Sequence, residues 1–210
     1  MRLVGLTGGI ATGKSTFARL LRERGLPVVD ADELSRAASR TRPVLDAIAR
    51  DFGEELLQAD GQLDRKKMGA LVFSDEAARR RLEAILHPAI RAAMAAETGR
   101  LATEGHPLAF YDTPLLFESG LGDQVECVVV IYAPRIEQIE RVVRRDGLSW
   151  AEAQARLAAQ MDIEEKARLA DAVIDNSGAP DTLALKAQLL HSDLLRGLGK
   201  RAPGADARWY

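Results

Sequence analysis

The run Gly8-Gly9-Ile10-Ala11-Thr12-Gly13-Lys14-Ser15 decides how the rest of the chain is to be read. It fills every fixed position of the pattern G-x-x-x-x-G-K-[ST], and its flanks have the right character. Leu3, Val4 and Leu6 before it make a short apolar strand, and Thr16 to Leu21 after it begin a helix. A polyphosphate carries several negative charges and needs many donors at once. A glycine-rich turn lets backbone N–H groups point inward, and the helix that follows adds its positive end. Gly8, Gly9, Ile10, Ala11, Thr12, Gly13, Lys14, Ser15 and Thr16 are therefore the candidate triphosphate contacts. Lys14 would reach the outer phosphates, and the Ser15 hydroxyl would ligate Mg2+. A chance glycine turn between strand and helix would not be expected to fill all these positions.

Working outward, composition fits a folded enzyme. The chain has 210 residues, of which 47% are hydrophobic and 29% charged, near the average for globular proteins. A net charge of −2 argues against broad nucleic-acid binding. Of 29 basic residues only 6 are lysine, a bias that suits phosphate recognition but that a GC-rich genome would also produce. Cys127, the single cysteine, lies in the apolar run Cys127-Val128-Val129-Val130-Ile131, so a buried structural thiol is expected and no zinc spacing exists. The loop begins too close to Met1 for a secretory signal, and the longest apolar run falls far below the ~20 residues of a membrane helix. A cytoplasmic location without membrane contact is expected.

Strand signals occur at Arg2–Leu6, Pro27–Val29, Leu108–Tyr111, Val125–Ile131 and Ala172–Ile174. Several are continuous apolar runs, as in parallel strands covered on both faces. Helical patterns fill the intervals. The expected architecture is an α/β fold of the P-loop NTPase type, a doubly wound parallel five-stranded sheet carrying a helical insert and a helical lid. Residues 1–32, 105–134 and 170–198 would form the nucleotide-binding core, 33–104 the insert and 135–169 the lid. Within the lid segment Gly147 ends one helix, and Ser149 with Glu152 forms a capping box that starts another. Residues 199–210 show no periodicity and read as a flexible tail.

Two carboxylates, Asp30 and Asp32, follow the second strand, at the end that faces the nucleotide crevice in such sheets. Phosphoryl transfer to an alcohol needs a group that orients the hydroxyl and takes its proton. Asp32 is the candidate base, or a metal ligand alongside Ser15; capping the next helix is the competing explanation. Asp112 ends a strand where nucleotide-binding sheets often hold an acidic magnesium partner, though an ordinary turn aspartate reads the same way. Arg141, Arg144 and Arg145 share one helix face and could neutralise charge on the transferring group, or simply be solvated. His87-Pro88 interrupts a helical pattern. Asn176 follows the last strand and could bond adenine, or belong to a turn.

These pieces in this order resemble the dephospho-coenzyme A kinase family. The likeness rests on Leu6-Thr7-Gly8-Gly9-Ile10, Gly13-Lys14-Ser15-Thr16, Val29-Asp30-Ala31-Asp32, Leu86-His87-Pro88, the run Asp112-Thr113-Pro114-Leu115-Leu116-Phe117-Glu118, and Asp175-Asn176-Ser177-Gly178. It spans the chain to about Leu195. The resemblance implies transfer of the ATP γ-phosphoryl group to the ribose 3′-hydroxyl of dephospho-coenzyme A. It also implies that the insert binds the acceptor. From charge and apolar-run length no nucleic acid or membrane is expected as a partner, and a monomer or weak homo-oligomer is the expected form. By position it assigns Ala11 to Thr16 and Asn176 to ATP and Arg141 to the lid. Thr7, Asp32, His87, Asp112, Pro114 and Leu115 fall to the acceptor side. The family usually has glycine where Ala11 stands, so a β-carbon there needs either a negative φ or some strain.

A related small-molecule or nucleotide kinase would use the same core with another acceptor. A non-catalytic nucleotide-binding adaptor is the alternative from a different class. A GTPase switch is disfavoured because the chain has no Asn-Lys pair, and an RNA adaptor because it lacks a basic excess.

Overall fold

A computed structural model describes residues 1–179, 182–202 and 205–210 of the chain. Two compact units emerge: Met1–Val29 with Leu101–Tyr210, and Asp30–Arg100. Pro203 and Gly204 of the expected tail, and Pro180 and Asp181 of the expected core, lie outside the described residues.

The first unit is built on a sheet of strands β1 (Arg2–Gly8), β2 (Val28–Asp30), β3 (Leu108–Asp112), β4 (Cys127–Tyr132), β5 (Ala172–Asp175) and β6 (Arg208–Trp209). Their order is β2-β3-β1-β4-β5-β6. The pairings of β1 with β3 and β4, of β4 with β5, and of β5 with β6 are all parallel. All five residues of β3 are buried, which explains why the central strands read as unbroken apolar runs. β1 lies between β3 and β4, so the chain turns away from the sheet after Gly8 at the point where successive connections diverge to opposite sides. That is the crevice where open α/β sheets bind ligands.

Helix α1 (Lys14–Glu23) packs Phe17, Ala18 and Leu21 into a core with Val4, Leu6, Phe110, Val129, Ile131 and Ile174. The sheet has one strand more than expected. Arg208 and Trp209, read as part of a flexible tail, pair in register with Ala172 and Val173. A two-residue strand carries too little alternation to register in a sequence pattern; β5's open edge recruits it.

In the second unit, Asp30–Arg100, α2 (Ala31–Ala38), α3 (Arg42–Phe52) and α4 (Arg65–Ser74) precede the long α5 (Glu76–Thr103), whose last residues belong to the first unit. Val44, Ile48, Leu56 and Met68 form its small core, with Leu82, Ile85, Leu86 and Ala89 of α5 packed against them. Here the structure corrects the expectation of a break at His87-Pro88, because α5 runs through Pro88. An interior proline costs a helix about 3 kcal/mol. Burial of the apolar residues on either side offsets that cost.

In the first unit, α6 (Arg135–Asp146), α7 (Trp150–Ala158) and α8 (Ile163–Leu169) lie between β4 and β5, and α9 (Thr182–Leu195) follows β5. Gly147 ends α6 with φ of 67°, and Ser149 and Glu152 form the expected capping box on α7. Among the described residues no helix is long and apolar enough to cross a membrane.

Candidate active site

The phosphate loop connects β1 to α1. Its tightest point is Gly13, at φ 94°, where a β-carbon would collide with Asn176 Nδ2. Glycine meets both demands, the left-handed backbone and the close approach. Ala11 takes the strained alternative: it is the one non-glycine residue with positive φ among those described, at 60°. A left-handed alanine costs about 1 kcal/mol. Thr12 is fully buried and closes the turn, its Oγ1 donating to Gly9 O at 2.9 Å.

The first turn of α1 carries no side-chain cap and no acidic residue. By contrast, Asp30, Asp64, Ser149 and Asp162 cap α2, α4, α7 and α8 through their side chains. The positive end of α1 is thus left for an anion, with the exposed Ser15 and Thr16 on its first turn. Lys14 bends to the end of β3, where its Nζ lies 2.5 Å from Asp112 Oδ1. Asp112 is only 5% exposed, so this pair holds two charges at the floor of the crevice.

Several of the expected site residues brace the loop instead of facing outward. Arg141 was expected to reach over the phosphates. Its Nη1 donates to Ala11 O at 3.3 Å, and its Nη2 to Asn176 O at 2.6 Å and Glu137 Oε2 at 2.8 Å. Asn176, expected near adenine, donates from Nδ2 to Thr12 O at 2.8 Å. The Ile10 N–H donates to Gln160 Oε1 at 3.0 Å, and the Ile10 and Ala11 side chains pack against Ile139, Val142, Ala153 and Leu157 of α6 and α7. The helices read as a lid therefore lie directly on the loop. Arg144 and Arg145 are exposed, and Arg145 pairs with Asp146.

Thr7 is fully buried, its hydroxyl 3.2 Å from Pro114 O, so it supports the Asp112–Glu118 turn. That turn exposes Leu115. One of its side-chain partners was not read from the sequence. Lys166 of α8 has no exposed surface; its Nζ donates to Pro114 O at 2.7 Å and pairs with Glu118 Oε1 at 2.8 Å. Burial works against the Glu118 charge, but hydrogen bonds from Lys166 and from the Met161 N–H hold its carboxyl below the usual range. A signal was present: Ile163, Lys166 and Ala167 share the buried face of α8, a place where a lysine needs a partner. Gln138 was also missed. It is buried beneath Gly9 and donates to Ala133 O at 2.8 Å. Cys127 is buried as expected, and burial pushes its thiol up to about 12, which leaves it unreactive.

Asp32 and His87 belong to the Asp30–Arg100 unit. The cap of α2 is Asp30, whose Oδ1 accepts from Asp32 N at 2.8 Å and Glu33 N at 3.0 Å. Capping therefore does not occupy Asp32. Its carboxylate is exposed and has no hydrogen-bond partner among the described residues. His87 is exposed on α5.

A phosphate loop with an uncapped helix and a Lys–Asp pair at its floor describes many kinases; comparison with known proteins narrows the choice. The dephospho-CoA kinase family model matches residues 2–181. The chain belongs to that family. A dephospho-CoA kinase from Anaeromyxobacter dehalogenans is 63% identical over 206 residues, covering 98% of each chain. The solved dephospho-CoA kinase from Campylobacter jejuni is 32% identical with a TM-score of 0.73, covering 94% of this chain and 99% of the other. A solved structure from Thermus thermophilus is 40% identical with a TM-score of 0.77, over 90% of this chain and 97% of its own. The chain is an ATP-dependent phosphotransferase of the last step in coenzyme A synthesis.

Proposed function

We propose that this kinase moves the γ-phosphoryl group of ATP to the ribose 3′-hydroxyl of dephospho-coenzyme A, with the phosphate loop at 8–16 holding the triphosphate. The observation that carries this reading is the α1 terminus, open to an anion and flanked by Lys14. Lys14 exchanges its contact with Asp112 for the outer phosphates, where its charge offsets what accumulates on the transferring group. Arg141 and Asn176 hold the loop in shape through its carbonyls and so act on the phosphates through the loop.

The residues fit a hard cation. The Ser15 hydroxyl and the Asp112 carboxylate are oxygen donors at the loop, and among the described residues no three His, Cys, Asp or Glu side chains are placed to hold a metal ion by themselves. Mg2+ suits such a sparse set because it keeps water and phosphate oxygens as its other ligands. When bound there it would neutralise phosphate charge. Asp32, with an unengaged carboxylate, is proposed to orient the acceptor hydroxyl and take its proton, or to serve the metal. The helical insert is proposed to bind the acceptor through residues including His87, with Leu115 on the acceptor side in the core and Thr7 supporting its turn through Pro114. Residues 135–169 are proposed as the lid. The enzyme would work in the cytoplasm as a monomer or weak homo-oligomer.

Purified protein should convert ATP and dephospho-coenzyme A to ADP and coenzyme A only when magnesium is present. Nucleoside monophosphates and shikimate should give no turnover. Turnover with one of those acceptors and none with dephospho-coenzyme A would overturn the assignment.

A further inference from the structure

Residues 205–210 lie beyond the stretch matched by the family model, yet Arg208 and Trp209 form the edge strand of the sheet beside β5, the strand that leads into Asn176. Arg208 N donates to Asp171 O at 3.0 Å, Tyr210 N to Val173 O at 3.0 Å, and Asp175 N back to Tyr210 O at 3.3 Å. This pairing covers the outer edge of β5 along its whole length. Side chains fasten it as well. Trp209 meets Tyr132 edge to face at 5.2 Å, Tyr210 packs on the main core, and its hydroxyl donates to Asp193 Oδ2 at 2.7 Å. Arg208 pairs with the same carboxylate at 2.9 Å.

What this edge supports is the next residue along. Asp175 runs directly into Asn176, whose side chain bonds Thr12 O and whose carbonyl receives Arg141. Asn176 N donates in turn to Tyr132 O at 2.8 Å, and Tyr132 is the residue on which Trp209 rests. Two short paths therefore run from the tail to the loop, one through Asp175 and one through Tyr132. We propose that residues 205–210 are a positioning segment for ATP, holding the Asp175–Asn176 turn at the height from which it clamps Thr12 and Arg141 to the phosphate loop. The inference rests on the reading of that loop as the ATP site. The segment touches no substrate and acts through Asn176.

The test compares the full chain with a form lacking residues 205–210 and with the full-length variant Tyr210→Pro, which removes the N–H bound to Val173 while keeping the other residues. Mg–ATP binding is read by calorimetry, independently of any acceptor, and KM is read separately for each substrate. Both altered proteins should bind Mg–ATP about tenfold more weakly, the equivalent of one lost positioning hydrogen bond. KM for dephospho-coenzyme A should stay within about twofold, because the segment acts on the loop alone. Tyr210→Phe keeps the main-chain pairing and should bind Mg–ATP as the parent does. Unchanged Mg–ATP affinity in a folded Tyr210→Pro protein would overturn the proposal, as would an equal loss toward both substrates. Failure of the parent to phosphorylate dephospho-coenzyme A while Mg–ATP binding responds as stated would count against the acceptor assignment only.

Discussion

The phosphate loop and the aspartate turn at 30–32 spend their polar groups in opposite ways. Around the loop, the polar side chains that shape it are tied down: Lys14 to Asp112, Thr12 to Gly9, Asn176 to Thr12, and Arg141 to Ala11 and Asn176. At the turn, Asp30 takes the structural work of capping α2 and leaves Asp32 exposed and unengaged. The loop must present main-chain donors with little freedom, so its surroundings are fixed beforehand. A group that handles a proton needs the reverse, a carboxylate not already committed.

The hardest way to break this contrast is Lys14→Ala. Turnover should fall about a thousandfold through lost charge stabilisation; a protein keeping a tenth or more of its activity would contradict the role given to Lys14. Next comes the support beneath the loop. Lys166→Met strands Glu118 and the Pro114 carbonyl, and should lower unfolding stability by about 3 kcal/mol in denaturant titration. Asp32→Asn should cut turnover about a hundredfold while leaving ATP affinity and melting temperature close to the parent's. A large drop in melting temperature would mean that Asp32 is structural after all. Its neighbour should behave the other way: Asp30→Ala loses the cap and about 1 kcal/mol of stability, measurable in the same titration.

The smallest expected effect is a pH dependence at Glu118. Its folded carboxyl sits below the ordinary value of 4.5, so the unfolded chain binds more protons as pH falls. The stabilisation is complete above that ordinary value and disappears as pH drops through the folded one. Thermal unfolding of the parent and Glu118→Gln from about pH 7 to about pH 3 should show the gap closing only in the acid range. A gap independent of pH would show that the Glu118 charge contributes nothing.

Much of this was legible in residues alone because it depends on local order. Each of the five strand signals lies within two residues of an observed strand, since a buried parallel strand must be apolar without a break. The loop motif carried its own context, and Gly147 and Ser149–Glu152 marked real helix ends. His87-Pro88 misled because the rule against interior proline is local, whereas the packing of Ile85, Leu86 and Ala89 that overrides it is not. The arginine face of α6 showed that a guanidinium would be near the loop. It did not show that Arg141 would meet the carbonyls of Ala11 and Asn176, residues far from it in the chain.

The order of residues by itself determined the nucleotide loop, the parallel sheet and the family, because these follow from short motifs and from apolar periodicity that neighbours along the chain can express. Only the tertiary structure decided which side chains face a substrate and which brace the loop, that Lys166 is buried, and that the last residues complete the sheet. Those outcomes depend on contacts between segments far apart in the chain, such as Lys14 with Asp112 and Asn176 with Thr12. A hydrogen bond across that separation leaves no periodic trace in either segment. It exists only once the fold has brought both partners within about 3 Å.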